Sequence, residues 1–280
     1  MIPLRYPQIE KAARFFFRTI GVEVSDIEGF TCCPEPWNVK GAGLTEWLTI
    51  AGRNLGIAQK HGGDLITLCN GCYSTLKEAK HAFSSDERTV EEVIKRIKST
   101  DLPKPGDIRV LHFADLLSEL WEPVISQCVK KRLEGANIAI HHGCHLLRPA
   151  DVMKFDDPFD PEVLERIIES LGATPVRYRG YTDCCGRAIL HRDKSLDVAS
   201  AKLDSMKQAG ADCVVVPCPA CFEQFDLGQV EIKRKTKRVF DLPVLHFSQL
   251  LALALEADPS SLGLDYHRVP VVDLVSKFLS

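Results

Sequence analysis

Nine of the eleven cysteines in this chain fall into two sets with one syntax, and that syntax limits the fold more than anything else in the sequence. The first set is Cys32-Cys33 followed at a distance by Cys69-Asn70-Gly71-Cys72. The second is Cys144, then Cys184-Cys185-Gly186, then Cys218-Pro219-Ala220-Cys221. The flanks repeat too. Gly29-Phe30-Thr31 before the first pair returns as Gly180-Tyr181-Thr182 before the second, and Val110-Leu111-His112-Phe113 returns as Val244-Leu245-His246-Phe247. Repeats that keep their order while their loops change length mark an internal duplication of roughly 140 residues.

Composition narrows the compartment and the chemistry. With 35 basic and 38 acidic side chains the net charge is −3, so there is no basic footprint for nucleic acid. A 45% hydrophobic and 26% charged chain is an ordinary globular one. The most apolar stretch, Val244 to Ala257, is interrupted by His246, Ser248, Gln249 and Glu256, short of the roughly 18 unbroken apolar residues of a membrane helix. The start shows no charged segment followed by an apolar run, so a soluble, cytoplasmic protein is expected. Eleven cysteines are too few for the roughly 8–10% of a disulfide scaffold and too many for incidental thiols. In a reducing compartment such clusters bind metal or carry redox chemistry.

Short β-branched runs predict buried strands at 64–68, 108–111, 137–140, 175–178 and 213–216. Amphipathic stretches predict helices at 6–20, 46–60, 161–171 and 195–209, with further helices opening at 73–82 and 222–227. Alternation of the two implies an α/β fold with a small parallel sheet flanked by helices in each half. The halves divide near 130–137, giving an N-terminal domain 1–135 and a C-terminal domain 136–280. The charged stretch 84–107 and the acidic stretch 156–161 read as surface insertions.

Thiolates are soft ligands suited to zinc, copper(I) or iron–sulfur clusters. Each CxxC closes a predicted strand and opens a helix, where free N–H groups and the helix dipole favour the charged thiolate. Adjacent cysteines on an extended segment point to opposite sides, which suits a polynuclear group better than one ion. Gly186 permits the bend such a pair needs. The five thiolates of the second set exceed the four of a tetrahedral zinc site or an ordinary cubane, so the spacing argues for an atypical iron–sulfur cluster. Zinc stays open as an alternative, most of all for the four thiolates of the first set, as does a thioredoxin-type dithiol at Cys218 and Cys221. Cys213 and Cys128 read as packed thiols.

These residues carry a resemblance. Gly29-Phe30-Thr31-Cys32-Cys33-Pro34, Leu68-Cys69-Asn70-Gly71-Cys72-Tyr73, His141-His142-Gly143-Cys144, Asp183-Cys184-Cys185-Gly186 and Pro217-Cys218-Pro219-Ala220-Cys221-Phe222 resemble the cysteine-rich CCG domain family and, within it, heterodisulfide reductase B subunits. The resemblance implies two CCG domains related by pseudo-twofold symmetry, each holding a noncubane [4Fe-4S] cluster through five cysteines. Cys144, Cys184, Cys185, Cys218 and Cys221 would hold one. Cys32, Cys33, Cys69 and Cys72 would supply four ligands of the other. The family pattern places a further strand and cysteine directly before a segment like Met1-Ile2-Pro3-Leu4-Arg5-Tyr6-Pro7, so Met1 is expected to be internal and the first site incomplete or filled by zinc as the sequence stands. Pro34 departs from the pattern by standing where the second set has Gly186.

The resemblance further implies reduction of the coenzyme M–coenzyme B heterodisulfide. The partners would be an iron–sulfur C subunit, with a flavin-containing A subunit feeding it. A disulfide takes two electrons and a cluster passes one at a time, so two clusters facing a domain interface would suit it. An electron-transfer subunit of a dehydrogenase or quinone-linked complex, a bacterial relative acting on other disulfides or persulfides, and a zinc-stabilised scaffold remain alternatives. His145 after Cys144 and Arg187 after Cys-Cys-Gly are the candidate proton donor and anion contact, with support of the cluster as the other role open to each. His141 and His142 point to opposite sides of a strand, so at most one faces the site. His112 and His246 read as structural, and the run Lys233–Arg238 as a solvated face or an attractor of anions.

Overall fold

The computed structural model describes residues 2–85, 87–97, 102–103 and 108–279. The chain condenses into two compact units. The smaller comprises Ser25–Asp115 and His145–Phe155, and the larger Met1–Val24, Leu116–Cys144 and Asp156–Ser280. These units are a different division from the two sequence repeats, because an opening helix joins the larger unit and a segment after Cys144 joins the smaller.

In the smaller unit, strand β1 (Leu65–Thr67) pairs in parallel with β2 (Val110–His112), in the register Leu65↔Val110 and Thr67↔His112. The helix Leu44–His61 buries Trp47, Leu48, Ala51, Leu55 and Ala58. Gly52 lies on its packed face: a Cβ there would meet Phe83 Cζ at 2.9 Å and Ile97 Cδ1 at 3.2 Å. Ile97 ends the helix Glu87–Ile97, which occupies much of the expected insertion 84–107. This corrects the sequence reading. Val90, Val93 and Ile97 recur at helical spacing and are buried, an apolar stripe masked by the charged residues between them. Residues 86, 98–101 and 104–107 of that stretch lie outside the described ones.

The larger unit carries a parallel sheet in the order β4-β3-β5-β6, with β3 Asn137–Ile140, β4 Thr174–Pro175, β5 Cys213–Val216 and β6 Val244–His246. All four residues of central β5 are buried, which explains its unbroken apolar run, since a parallel strand is covered on both faces. Each such valine contributes about 1.5–3 kcal/mol by burial. Strand β4 is shorter and earlier than the predicted 175–178. Thr174 N and Val176 N donate to Ala136 O and Ile138 O, and the chain then leaves the sheet for a turn at Gly180. The helix Pro7–Thr19 starts on Pro7, where a missing N–H costs nothing, and buries Ile9, Ala12, Ala13, Phe16 and Phe17. It packs on the helix Phe247–Ala254, and Ser248 Oγ donates to Ile9 O at 3.2 Å. The stretch 156–161 is an exposed loop, as expected, except for buried Pro161; Asp156 Oδ2 accepts from Glu162 N and Val163 N to cap the helix Val163–Ser170.

Duplication is visible in detail. His112 Nδ1 accepts from Ala114 N at 3.0 Å, and His246 Nδ1 from Ser248 N at 3.2 Å. Asp115 and Gln249 return the bond to His112 N and His246 N, at 2.8 and 3.0 Å. Both histidines thus cap helices that follow matching strands, the structural role read from the sequence. No helix among the described residues is long and apolar enough to cross a membrane.

Candidate functional site

Each CxxC sits where a strand gives way to a helix. Cys69 precedes the helix Asn70–Ser85, and Cys218, in extended conformation, precedes Pro219–Thr236. Tyr73 N and Phe222 N donate to Cys69 O and Cys218 O, both at 2.9 Å, so both motifs form the same first turn. The second cysteine of each pair lies inside that turn, where the helix dipole favours a thiolate.

The Cys-Cys pairs follow matching turns. Gly29 and Gly180 sit at φ +76° and +77°, a left-handed conformation natural to glycine. Their carbonyls are held by equivalent cations: Arg53 Nη1 donates to Gly29 O at 3.1 Å, and Lys202 Nζ donates to Gly180 O. Lys202 is buried, whereas Arg53 is half-buried. Beyond the second pair, Gly186 turns at φ +90°, and a Cβ there would lie 2.9 Å from Ser195 O and 3.0 Å from Val198 Cβ. Gly186 N donates to Cys184 Sγ at 3.3 Å. Pro34, at the matching place in the first set, has no N–H to offer.

All five thiols of the second set gather in the larger unit. Cys221 and Cys185 sulfurs are 3.5 Å apart, and hydrogen bonds continue from Cys144 to Cys184, from Cys185 to Cys184 and between Cys221 and Cys218. The Cys184 thiol falls to about 2, stabilised by donation from Cys144 and Cys185 and by the Gly186 N–H. Cys185 rises to about 12, chiefly through its bond to Cys184, and Cys144 and Cys221 are pushed higher as donors to their neighbours. Five thiols this close cannot all ionise without a cation to offset them. A metal group binds thiolates by displacing their protons, so this donor set fits an iron–sulfur group.

The first set gathers in the smaller unit. Cys72 is hydrogen-bonded to Cys32, Cys33 and Cys69 and is pushed up, while Cys32 falls to about 6 by accepting from Cys72. Asn54 is fully buried, accepts from Thr31 N and Oγ, and directs Nδ2 toward Cys33 Sγ at 3.9 Å. These four thiols are a soft donor set of the same type. Cys213 is fully buried within β5, where desolvation raises its thiol, and Cys128 Sγ packs 4.0 Å from Thr19 O, both apart from either set.

The polar candidates divide between the units. His145 belongs to the smaller unit, its ring 5.3 Å from that of Trp37 and its Nδ1 3.2 Å from Ser74 Oγ, two residues past Cys72. Arg187 lies in the larger unit and faces Glu223 at 3.5 Å; Arg5 approaches the same carboxylate at 3.7 Å, and the Tyr6 hydroxyl bonds to it. In the basic run, Lys235 pairs with Asp193 and Arg238 with Asp204, so part of its charge is spent within the fold. Of the paired histidines it is His141 that turns toward the second thiol set: a ring nitrogen lies within 4.8 Å of Cys185 and Cys221 sulfurs. Its Nδ1 meets Tyr178 Oη at 2.9 Å, while His142 packs against the Tyr181 ring. Tyr178, Lys202, Arg53 and Asn54 escaped the sequence reading. Extending the repeat alignment through the helices would have matched Arg53 with Lys202.

Comparison with known proteins places this arrangement. The Cysteine-rich domain family (CCG) matches residues 1–77 and 138–226. The B subunit of the ferredoxin:CoB-CoM heterodisulfide reductase of Methanosarcina mazei is 32% identical over 99% of this chain and 94% of its own length. The 8-methylmenaquinol:fumarate reductase membrane anchor subunit of Wolinella succinogenes is 29% identical over 91% of this chain and 89% of its own. A crystal structure of a hypothetical protein from Helicobacter pylori shares the fold with a TM-score of 0.77 at 17% identity, covering 94% of this chain, which spans about half (49%) of that longer one. The chain belongs to the cysteine-rich CCG domain family, among the relatives of heterodisulfide reductase B subunits.

Proposed function

We propose that this chain is the catalytic subunit of a heterodisulfide reductase, splitting a disulfide such as coenzyme M–coenzyme B into two thiols. The observation that carries this reading is the separate gathering of five and four thiols on duplicated strand-to-helix turns. Cys144, Cys184, Cys185, Cys218 and Cys221 would hold one noncubane [4Fe-4S] cluster, and Cys32, Cys33, Cys69 and Cys72 a second. Such clusters pass electrons singly, and two of them supply the pair that a disulfide bond takes up.

The protein's own side chains then have definite work. His145, oriented by Ser74 and Trp37, holds a ring proton for a departing thiolate. Arg187, bound to Glu223 and half exposed, offers its remaining N–H donors to an anionic substrate group. The helix N-termini behind Cys72 and Cys221 favour the ionised sulfurs. The expected partners, in the cytoplasm, are an iron–sulfur C subunit with a flavin-containing A subunit.

A second reading rests on the Wolinella relative, whose name places it in a quinol:fumarate reductase: an electron-transfer subunit without substrate chemistry of its own. One assay separates them. Iron and acid-labile sulfide are measured on anaerobically purified protein, and oxidation of a reduced viologen dye is then followed with and without the coenzyme heterodisulfide. Heterodisulfide-dependent dye oxidation is expected. A cluster-loaded protein, assembled with its partners, that ignores the disulfide but exchanges electrons with a quinone analogue would establish the second reading. Stoichiometric zinc would overturn both.

A further inference from the structure

His141 and Tyr178 form a buried polar pair that the proposed function leaves without a role. His141 follows β3, is fully buried, and packs edge-on against Phe225 at 5.0 Å. Its Nδ1 lies 2.9 Å from Tyr178 Oη, and its Nε2 is buried with no hydrogen-bond partner among the described residues. A neutral imidazole carries one N–H and a phenol one O–H. The pair therefore carries two polar hydrogens, one N–H and one O–H. With the Tyr178 hydroxyl donating to Nδ1, the ring N–H falls on Nε2, which has no other partner among the described residues. A buried donor left unsatisfied costs about 1–3 kcal/mol, and the acceptors beside the ring are the Cys185 and Cys221 sulfurs, within 4.8 Å of it.

We propose that His141, oriented by Tyr178, hydrogen-bonds to the Cys185–Cys221 sulfur pair and raises the reduction potential of the iron–sulfur group held there. The inference rests on the iron–sulfur reading of that set. A donor to a thiolate draws off negative charge and so favours the reduced, more negative state. In the first set the Asn54 amide lies 3.9 Å from Cys33 Sγ.

The test is an anaerobic redox titration followed by electron paramagnetic resonance, with iron and sulfide content measured alongside. It compares the parent with His141→Phe, which keeps a ring without a donor, Tyr178→Phe, and His141→Gln, which restores an N–H. His141→Phe is expected to shift the one-electron equilibrium of one signal about tenfold toward the oxidised form, about 59 mV lower. Tyr178→Phe should move it less in the same direction, and His141→Gln should recover part of the loss. Should His141→Phe fail to load iron, Tyr178→Phe and His141→Gln decide. Loaded variants with an unmoved potential overturn this inference alone, whereas a parent without iron overturns the iron–sulfur reading as well.

Discussion

The two cysteine groups sit on the same local scaffold in different surroundings. Both CxxC motifs cross from a parallel strand into a helix with the same 2.9 Å first-turn bond, and both neighbouring strands end in a helix-capping histidine. What encloses them differs. The five-thiol group lies beyond a four-stranded sheet, with a buried lysine, the Gly186 N–H and the His141–Tyr178 pair around it. The four-thiol group has a two-stranded sheet among the described residues, half-buried Arg53, and Pro34 where a donor would stand. Duplication kept the elements that place sulfurs and let drift the elements that set charge and burial around them. Two groups of one lineage are thereby free to acquire different potentials and different stabilities.

The contrast between the groups is tested most strongly at the cysteines. Cys221→Ser should lower the iron content to about half that of the parent while the first group's signal persists, and Cys72→Ser should do the converse. Simultaneous loss of both signals in either variant would mean that the groups are not independent. Next in size is the turn after each pair. Gly186→Ala forces a left-handed residue with a Cβ 2.9 Å from Ser195 O, so thermal or denaturant unfolding should show a loss of about 2–4 kcal/mol. Pro34→Ala requires no such conformation and should stay within about 1 kcal/mol. Equal losses would erase the distinction between the turns.

Smaller effects separate the sheets. Val215→Ala in fully buried β5 is expected to cost about 2–3 kcal/mol by equilibrium unfolding, and Ile66→Ala, at the half-buried central position of β1, about 1–2 kcal/mol despite removing more atoms. The reverse order would show that Ile66 is as enclosed as Val215. The last contrast concerns acid. His267, in the larger unit, is lowered to about 4 by burial and meets Gln249 Nε2 at 2.9 Å. The unfolded chain takes up this proton near pH 6.5 and the folded chain only near 4, so stability falls as pH drops through that window, by up to about 1.4 kcal/mol per pH unit. His267→Gln should flatten the slope of stability against pH there, and unchanged slopes would remove His267 from the acid response.

Much of this was legible in the chain. Strands 137–140 and 213–216 are found where their β-branched runs predicted, because a parallel strand covered on both faces needs an uninterrupted apolar stretch. The helices after each CxxC and the capping roles of His112 and His246 follow from the same local pattern. Other features were hidden for identifiable reasons. The helix Glu87–Ile97 carries its apolar stripe on only Val90, Val93 and Ile97 amid charge, so composition read as an insertion. The helix after Cys221 runs to Thr236 instead of ending near 227, since Gly228 and the basic run beyond it look like breakers until packing supports them. Asn54 and Lys202 look like ordinary helix-surface residues, because nothing local says which polar side chain will be turned inward.

Residue type and the spacing of a few positions were enough to pick out the two cysteine sets, their duplication and the strand-to-helix turns that carry them. Packing had to decide that the opening helix Pro7–Thr19 joins the larger unit and lies on Phe247–Ala254, and that His145 belongs to one unit and Cys144 to the other. It also decided that His141, and not His142, turns toward the thiols. Those outcomes depend on which apolar faces find each other across more than two hundred residues of chain, as in the bond from Ser248 Oγ to Ile9 O. Local periodicity says that a face is apolar; the assembled fold alone chooses its partner.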